Sequence, residues 1–357
     1  MKPHFHWDNR RLDLLARFIL ALIQQQTVNL SKIAQVLNIQ VKPSSNEKRC
    51  ARFIKDFEID LKDIAAFVLQ GCPARFDLLL DRTEHFFGQT SINILTFAAG
   101  IGPTRFPLLW DDLGKTGNSN TKERKDLLKS LLKVLDPKRI QVLLADREFI
   151  GSKWLTWLKN KRIPFAIRIR ANTIIRLGPF KNRAERIFKH LKAGEVLDFR
   201  LTCVLMGVRG YVSATRLETG ELLIVFRSHQ RLNGLEVYAR RWGVECLFKS
   251  FRTAGFHLSC SHVTDPVRVE RLLVLLTLAL TWAARTGVIA SQLEPIPVKS
   301  HGRAEFSVFR FGLDVLVEIL AGGSRLLSFA QALVGLFGAP VVALMVRYAQ
   351  IPVRRSG

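Results

Sequence analysis

Apolar residues recur along the chain first with a helical period and then as the short, nearly unbroken runs of buried strands. Leu12–Gln25 predicts an amphipathic helix, Lys32–Leu37 a short second one with Ser31 as its N-cap, and Ser45–Phe57 a third. Residues 1–75 therefore read as a helical domain. From residue 76 the pattern predicts strands at Phe76–Leu80, Ser91–Ala99 and Arg105–Trp110. A Gly/Asn/Ser turn then leads into a helix over Thr121–Leu135, with Asn120 and Glu123 at capping-box spacing. A strand at Ile140–Ala145, a helix over Trp154–Lys161 and a strand at Pro164–Arg170 complete an order β-β-β-α-β-α-β. That order predicts an α/β fold in which a meander acquires parallel partners.

Beyond residue 170 the elements shorten. Strands are predicted at Gly194–Leu205, Gly210–Arg216 and Leu222–Phe226, a β-rich insertion over about 171–235. The last segment, 264–357, reads as helical and apolar. Its run Leu272–Ala284 is too short to cross a bilayer, and Ala332–Val346 is short and interrupted by Gly335, Gly338 and Pro340. Both are expected to be buried helices, and no membrane partner is expected.

Charge sharpens this picture. The 357 residues carry 54 Lys and Arg against 30 Asp and Glu, a formal net charge of +24. Such a surplus repels itself unless a polyanion is the partner, and nucleic acid is the first expectation. The stretch Arg147–Lys189 alone holds 12 Lys/Arg and two acids, suited to phosphate contacts. On the third helix Lys48, Arg52 and Lys55 fall on one face, and this basic helix suits DNA docking. Five scattered cysteines without a CxxC pair argue against a zinc ribbon or a secreted disulfide framework and fit a reducing cytoplasm.

Candidate chemistry gathers at three acids. Asp81 and Asp146 each follow an apolar strand, and open α/β sheets build their sites at the carboxyl ends of strands. An acid in that place can also be a helix cap or a turn residue. The third acid lies in a helix predicted over Val237–Phe251. At about 100° per residue, with Tyr238 at 0°, Arg241 falls near 300°, Glu245 near 340°, Lys249 near 20° and Arg252 near 320°. Val237, Val244, Leu247, Phe248 and Phe251 form the apolar face. One carboxylate among cations stays ionised, as a divalent cation requires.

Three segments carry a resemblance. Leu78-Leu-Leu-Asp81-Arg-Thr83, Leu143-Leu-Ala-Asp146-Arg-Glu-Phe149 and Tyr238-x2-Arg241-x3-Glu245-x6-Arg252 resemble the motifs of the DDE transposases of cut-and-paste bacterial insertion sequences, of the type with a Tyr-Arg-Glu-Lys signature. The likeness covers about Phe76–Val263. It implies a ribonuclease H-like catalytic core at 76–263 carrying the β-strand insertion, flanked by the N-terminal helical DNA-binding domain and by a C-terminal helical region that pairs two protomers across synapsed ends. It also implies that Asp81, Asp146 and Glu245 are catalytic and ligate two Mg²⁺ ions, with Mn²⁺ as a substitute. Tyr238, Arg241 and Arg252 would hold DNA phosphates near the cut, with Lys249 and Arg147 beside them.

Two departures stand out. The last signature position is Arg252 rather than Lys, a planar fork in place of a compact charge. Some relatives stack a flipped base on a Trp of the insertion, but residues 171–237 contain none; Phe180, Phe188 and Tyr211 are the candidates left. The expected partner is double-stranded DNA, both element ends and target. Two rival readings remain open: a ribonuclease H-like nuclease or resolvase that cuts without joining, and a transposase-derived DNA-binding protein that no longer catalyses.

Overall fold

A computed structural model of the protein describes residues 7–87, 90–101, 104–242, 255–258, 263–300, 302, 304–323, 335 and 345. They divide into two compact units. One spans Cys72–His85 and Ser91–Glu245; the other takes the described residues of Met1–Gly71, Phe86–Thr90 and Cys246–Gly357. The described N-terminal and C-terminal helices thus share a unit.

The second of these units is helical. It contains α1 (Asn9–Gln25), α2 (Leu30–Leu37), α3 (Pro43–Asp56) and α4 (Leu61–Gln70). The N-cap of α2 is Asn29, whose side chain accepts from the amides of Ser31 and Lys32, and not Ser31 as predicted. Ser31 sits inside the first turn, where its hydroxyl donates to Glu47 at 2.7 Å. Asn carries its oxygen one bond further out than Ser, and two residues upstream it reaches both orphan amides.

The C-terminal helices of the same unit are long and apolar. Where the sequence suggested a short run, one continuous helix covers Pro266–Leu293, 28 residues capped by Asp265. By length and composition it could cross a membrane, but 83% of its most apolar window is buried inside the protein. It packs on α1, α3, α4 and the helix Val308–Leu320. Where the two C-terminal helices cross, Gly287 and Gly312 bring backbone against backbone. A Cβ on either would overlap a carbonyl of the other helix.

The other unit is built on a mixed, mostly antiparallel sheet. Its first strands are β1 (Phe76–Phe87), β2 (Thr90–Ile101) and β3 (Thr104–Asp112). Helix α5 (Thr121–Leu131) follows, and the predicted capping box is present in full: Asn120 accepts from the Glu123 amide while Glu123 accepts from the Asn120 amide. Then come β4 (Ile140–Ala145), α6 (Ser152–Asn160) and β5 (Phe165–Ile169). β4 pairs in parallel with both β1 and β5. Strands flanked this way are buried on both faces and read as continuous apolar runs, as Leu78–Leu80 and Val142–Ala145 do, all fully buried.

The insertion continues this sheet. Its elements are β6 (Ile174–Leu177), β7 (Phe180–Arg183), α7 (Ala184–Ile187), β8 (Val196–Asp198), β9 (Cys203–Leu205), β10 (Val208–Arg216) and β11 (Leu222–Arg227). The strand order is β3-β2-β1-β4-β5-β11-β10-β9-β6-β7, with β8 also on β10. β11 pairs antiparallel with β5, so the added strands extend the sheet past β5. The predicted strand Gly194–Leu205 is two short strands, and the β6–β7 hairpin was not predicted, because its exposed positions (Arg176, Lys181, Asn182, Arg183) interrupt any apolar run.

Candidate active site

Parallel pairing sets two carboxylates side by side. Leu80 of β1 faces Ala145 of β4 across the sheet, and the next residue on each strand is an acid, Asp81 and Asp146. Asp81 does not end its strand, as the sequence suggested. β1 runs on to Phe87 beside β2, and Asp81 marks instead the point where β4 leaves it. Asp146 precedes a 3₁₀ turn, Arg147–Phe149, but its side chain makes no capping bond to that turn. Its Oδ1 accepts from the Tyr238 hydroxyl at 3.0 Å, so the capping role open to it from sequence is not the one it fills.

Tyr238 belongs to α8 (Gly234–Ala239), which runs into a 3₁₀ turn over Arg240–Trp242. The sequence expectation of one helix over Val237–Phe251 holds for its first residues; Glu245, Lys249 and Arg252 lie outside the described residues. Where α8 begins, Gly234 lies against β10 and β11, and a Cβ there would overlap the Ser213 hydroxyl. From that seat three successive contacts descend on the sheet. The buried Tyr238 reaches Asp146, Arg240 pairs with Asp77 at 3.2 Å, and Arg241 stands 3.9 Å from Asp81. Asp77 and Asp81 are four apart on β1, hence on one face of the sheet. The Arg241 guanidinium also lies over the Tyr238 ring, 5.5 Å from its centroid.

A second layer of contacts was invisible to the motif. Arg82 donates to both carboxylate oxygens of Glu148 (3.2 and 3.3 Å) and further to Glu84 (3.2 Å) and Asn93 (3.0 Å). Arg124, buried in α5, donates to the Glu148 carbonyl at 3.1 Å and covers the Phe149 ring. The turn after Asp146 is thus held from β1 by one arginine and from α5 by another. On the other flank Arg168 lies 4.0 Å from Asp146 and pairs with Glu221, which also receives Arg147 at 3.4 Å.

Burial pushes the Asp81 carboxyl up to about 6. The Arg82 amide and the Arg241 charge oppose that shift, and the Glu148 and Asp146 carboxylates add to it. Burial also raises the Tyr238 phenol, so its proton stays on the hydroxyl that donates to Asp146.

The remaining residues fall elsewhere. Arg147 is exposed beside Asp146, while Lys48, Arg52 and Lys55 are all exposed on α3 in the helical unit. There Arg52 lines a small pocket of about 280 Å³ with Arg11, Arg49, Phe53 and Phe57. Of the stacking candidates, Phe188 is excluded by burial against Phe199, and Tyr211 lies under the Arg227 guanidinium.

Two hard carboxylates, one in β1 and one just past β4, 17% and 31% exposed, fit a hard divalent cation. Among the described residues no group of three His, Cys, Asp or Glu side chains gathers into a full ligand set, and Glu245 lies outside them.

A meander of three strands continued by two parallel ones, with paired acids at the carboxyl end of the parallel pair, is compatible with a ribonuclease H-like core. The transposase DDE domain family model matches residues 101–282, just over half of the chain, and the chain belongs to that family. The match contains Asp146, Tyr238, Arg241 and Glu245 and begins after Asp81. A search of curated proteins finds no match.

Proposed function

We propose that this protein is a transposase of the Tyr-Arg-Glu-Lys type that cleaves DNA at the ends of an insertion sequence and joins them to target DNA. The observation that carries the reading is the register that sets Asp81 beside Asp146 at the end of the parallel pair. Asp81, Asp146 and Glu245 would hold divalent ions, Mg²⁺ or Mn²⁺. Such ions supply Lewis-acid stabilisation of the attacking and leaving oxygens of an in-line displacement.

This chain's own residues then have distinct tasks. The clamp of Arg82 and Arg124 on the Glu148 turn keeps Asp146 at a fixed distance from Asp81. Arg241 and Tyr238, which meet the two carboxylates, would hold the phosphates flanking the cut, joined by Lys249, Arg252 and Arg147. Water adds to phosphorus, the 3′-oxygen leaves as a hydroxyl and the 5′-phosphate departs with the flanking strand. That 3′-hydroxyl then attacks a target phosphodiester and displaces its 3′-oxygen. The α3 face of Lys48, Arg52 and Lys55 serves duplex docking, and the C-terminal helices serve pairing of two protomers. The setting would be the bacterial cytoplasm.

Labelled DNA carrying the element's ends, incubated with and without Mg²⁺, tests the reading. Metal-dependent nicking and joining, lost in Asp81→Ala, Asp146→Ala and Glu245→Ala, is the expected result. Nicking that persists in Asp146→Ala removes the reading.

A further inference from the structure

The insertion hands the chain back to the site through a buried charge. Its last strand, β11, runs between β5 and β10 and ends at Arg227, directly after the buried Ile224, Val225 and Phe226. Arg227 is itself fully buried, and its guanidinium lies over the ring of Tyr211, the residue paired with it on β10. All five N–H donors of that guanidinium are used. Nε donates to the Ser213 hydroxyl of β10 at 3.1 Å. Nη2 donates to the Asp198 carboxylate of β8 and, at 3.4 Å, to the Phe199 carbonyl. Nη1 donates to the carbonyls of His229 (3.2 Å) and Gln230 (2.6 Å).

Those two carbonyls belong to the connection that leads to α8. Ser228 makes the last bonds to β5: its amide donates to the Phe165 carbonyl, and its hydroxyl accepts from the Phe165 amide. Beyond it the chain leaves the sheet, and His229, Gln230 and Arg231 are exposed. Water can satisfy carbonyls in such a loop, so it is the Arg227 fork that turns them inward. Asn233 then caps α8, and Gly234 is seated against Ser213, where a Cβ would also stand 3.2 Å from the Arg227 stem. About one helical turn further on, Tyr238 donates to Asp146.

Stability alone does not call for a charge here. Taking an ion pair out of water is costly, and well-packed apolar residues of similar volume are often as stable in its place. An apolar side chain at 227 would simply continue the core of β11. It would hold none of the carbonyls of the connection. What the guanidinium supplies is geometry: one planar group fixes β8, β10 and the approach to α8 relative to one another.

We propose that Arg227 is a positioning residue of the carboxylate centre. By gathering the His229 and Gln230 carbonyls with Asp198 and Ser213, it sets where α8 begins and so places the Tyr238 hydroxyl on Asp146. The folding of the insertion is thereby coupled to the site, since β8, through Asp198, helps decide where Tyr238 stands. The effect on chemistry rests on the reading of Asp146 as a ligand of the catalytic ions; the effect on the placement of α8 does not.

Fluorine NMR on the full-length protein labelled with 3-fluorotyrosine tests this at neutral pH, without DNA or divalent ions. The signal lost in Tyr238→Phe is that of Tyr238. Arg227→Met is expected to melt below the parent and to move the Tyr238 signal toward that of free fluorotyrosine. Adding Asp198→Asn removes the carboxylate left without its cation and should recover most of the melting loss. The Tyr238 signal should stay displaced in that double variant, because the His229 and Gln230 carbonyls are still without the guanidinium. Arg227→Lys keeps the charge but not the fork and should give a smaller displacement. A folded double variant with the Tyr238 signal at its parental position overturns the proposal. So does failure of every Arg227 variant to fold, which would make the residue an element of folding and nothing more. With Mg²⁺, nicking by the folded double variant is expected to fall about 10- to 100-fold. Parental nicking despite a displaced signal would detach this placement from the chemistry and overturn the positioning role. A parent that does not nick at all removes the proposed function and leaves the fluorine result to decide the placement of α8.

Discussion

Arg82 and Glu148, 66 residues apart in the chain, meet as a planar fork on a carboxylate, with both oxygens engaged at 3.2 and 3.3 Å. The pair joins the residue after Asp81 to the second residue after Asp146, so it spans the two acids like a brace. Its side chains are only 15% and 22% exposed, so removing either partner would leave a partly buried charge uncompensated.

Breaking the brace should be felt in both stability and activity. Arg82→Ala is expected to cost roughly 2 kcal/mol, because it leaves the Glu148 carboxylate without its fork. Arg82→Lys should recover only part of that, since an ammonium cannot meet both oxygens at once. Urea unfolding measures the first effect. DNA nicking by the folded variant, expected to fall about 10- to 100-fold, measures the second. Equal unfolding midpoints for parent and Arg82→Ala would show that the brace carries no energy.

Tyr238→Phe keeps the buried ring and removes the hydroxyl from Asp146. The expected stability change is small, about 1 kcal/mol. The informative readout is Mn²⁺ binding in the absence of DNA, followed by electron paramagnetic resonance. If Asp146 holds the proposed ion, removing a donor from its oxygen should tighten that binding, while nicking falls if the hydroxyl also serves a phosphate. Unchanged Mn²⁺ affinity would mean that the Tyr238 contact does not compete for Asp146.

Asp81 makes a pH prediction whose sign runs against the usual carboxylate. Its folded value is about 6 against 3.8 for an ordinary aspartate, with burial as the main cause. Between those values the folded state holds a proton that the unfolded chain has released. The stabilisation is therefore full below about pH 4 and lost as pH rises through about 6, and the shift sets its size at about 3 kcal/mol. In chelator, urea midpoints of the parent should fall between about pH 4.5 and about pH 7.5 by more than those of Asp81→Asn. Parallel curves for the two proteins would contradict it.

Gly234→Ala probes the seat of α8. A Cβ there overlaps the Ser213 hydroxyl, so the helix must lift or the sheet must give, at a cost of about 1–3 kcal/mol. Because Tyr238 and Arg241 ride on the same segment, the variant should weaken nicking even at temperatures where it is fully folded. A Gly234→Ala protein with parental melting and parental activity would show that the contact relaxes freely.

The parts of this molecule legible in sequence were those set by local patterns. The bounds of β4 are those predicted, Ile140–Ala145, because a strand buried on both faces leaves an unbroken apolar run. The Asn120–Glu123 box was legible because its geometry is local. Asp81 and Asp146 were singled out as the acids that follow such runs, and the pairing of Leu80 with Ala145 sets the two positions at the end of the register between neighbouring strands. What escaped were relationships between distant segments. Asp77 reads as a lone polar residue in an apolar strand until Arg240, 163 positions later, settles on it. Arg82 and Glu148 each read as part of a motif, with nothing in their neighbourhood to pair them. The β6–β7 hairpin escaped for another reason: its exposed, cationic positions carry no apolar alternation for a pattern to detect.

The pairing of β11 with β5 has a mechanical consequence. A module on a flexible linker could swing to meet its ligand, but strands hydrogen-bonded into one sheet move as a plate. The carboxylates at the point where β4 leaves β1 and the cationic hairpin of β6 and β7 are therefore held on one common sheet. On the proposed function, a DNA molecule laid along that sheet would have to supply the bending itself. The energy of bending depends on which base steps are asked to bend. Preference for one sequence over another can then be written in the stiffness of the DNA, at positions no side chain touches.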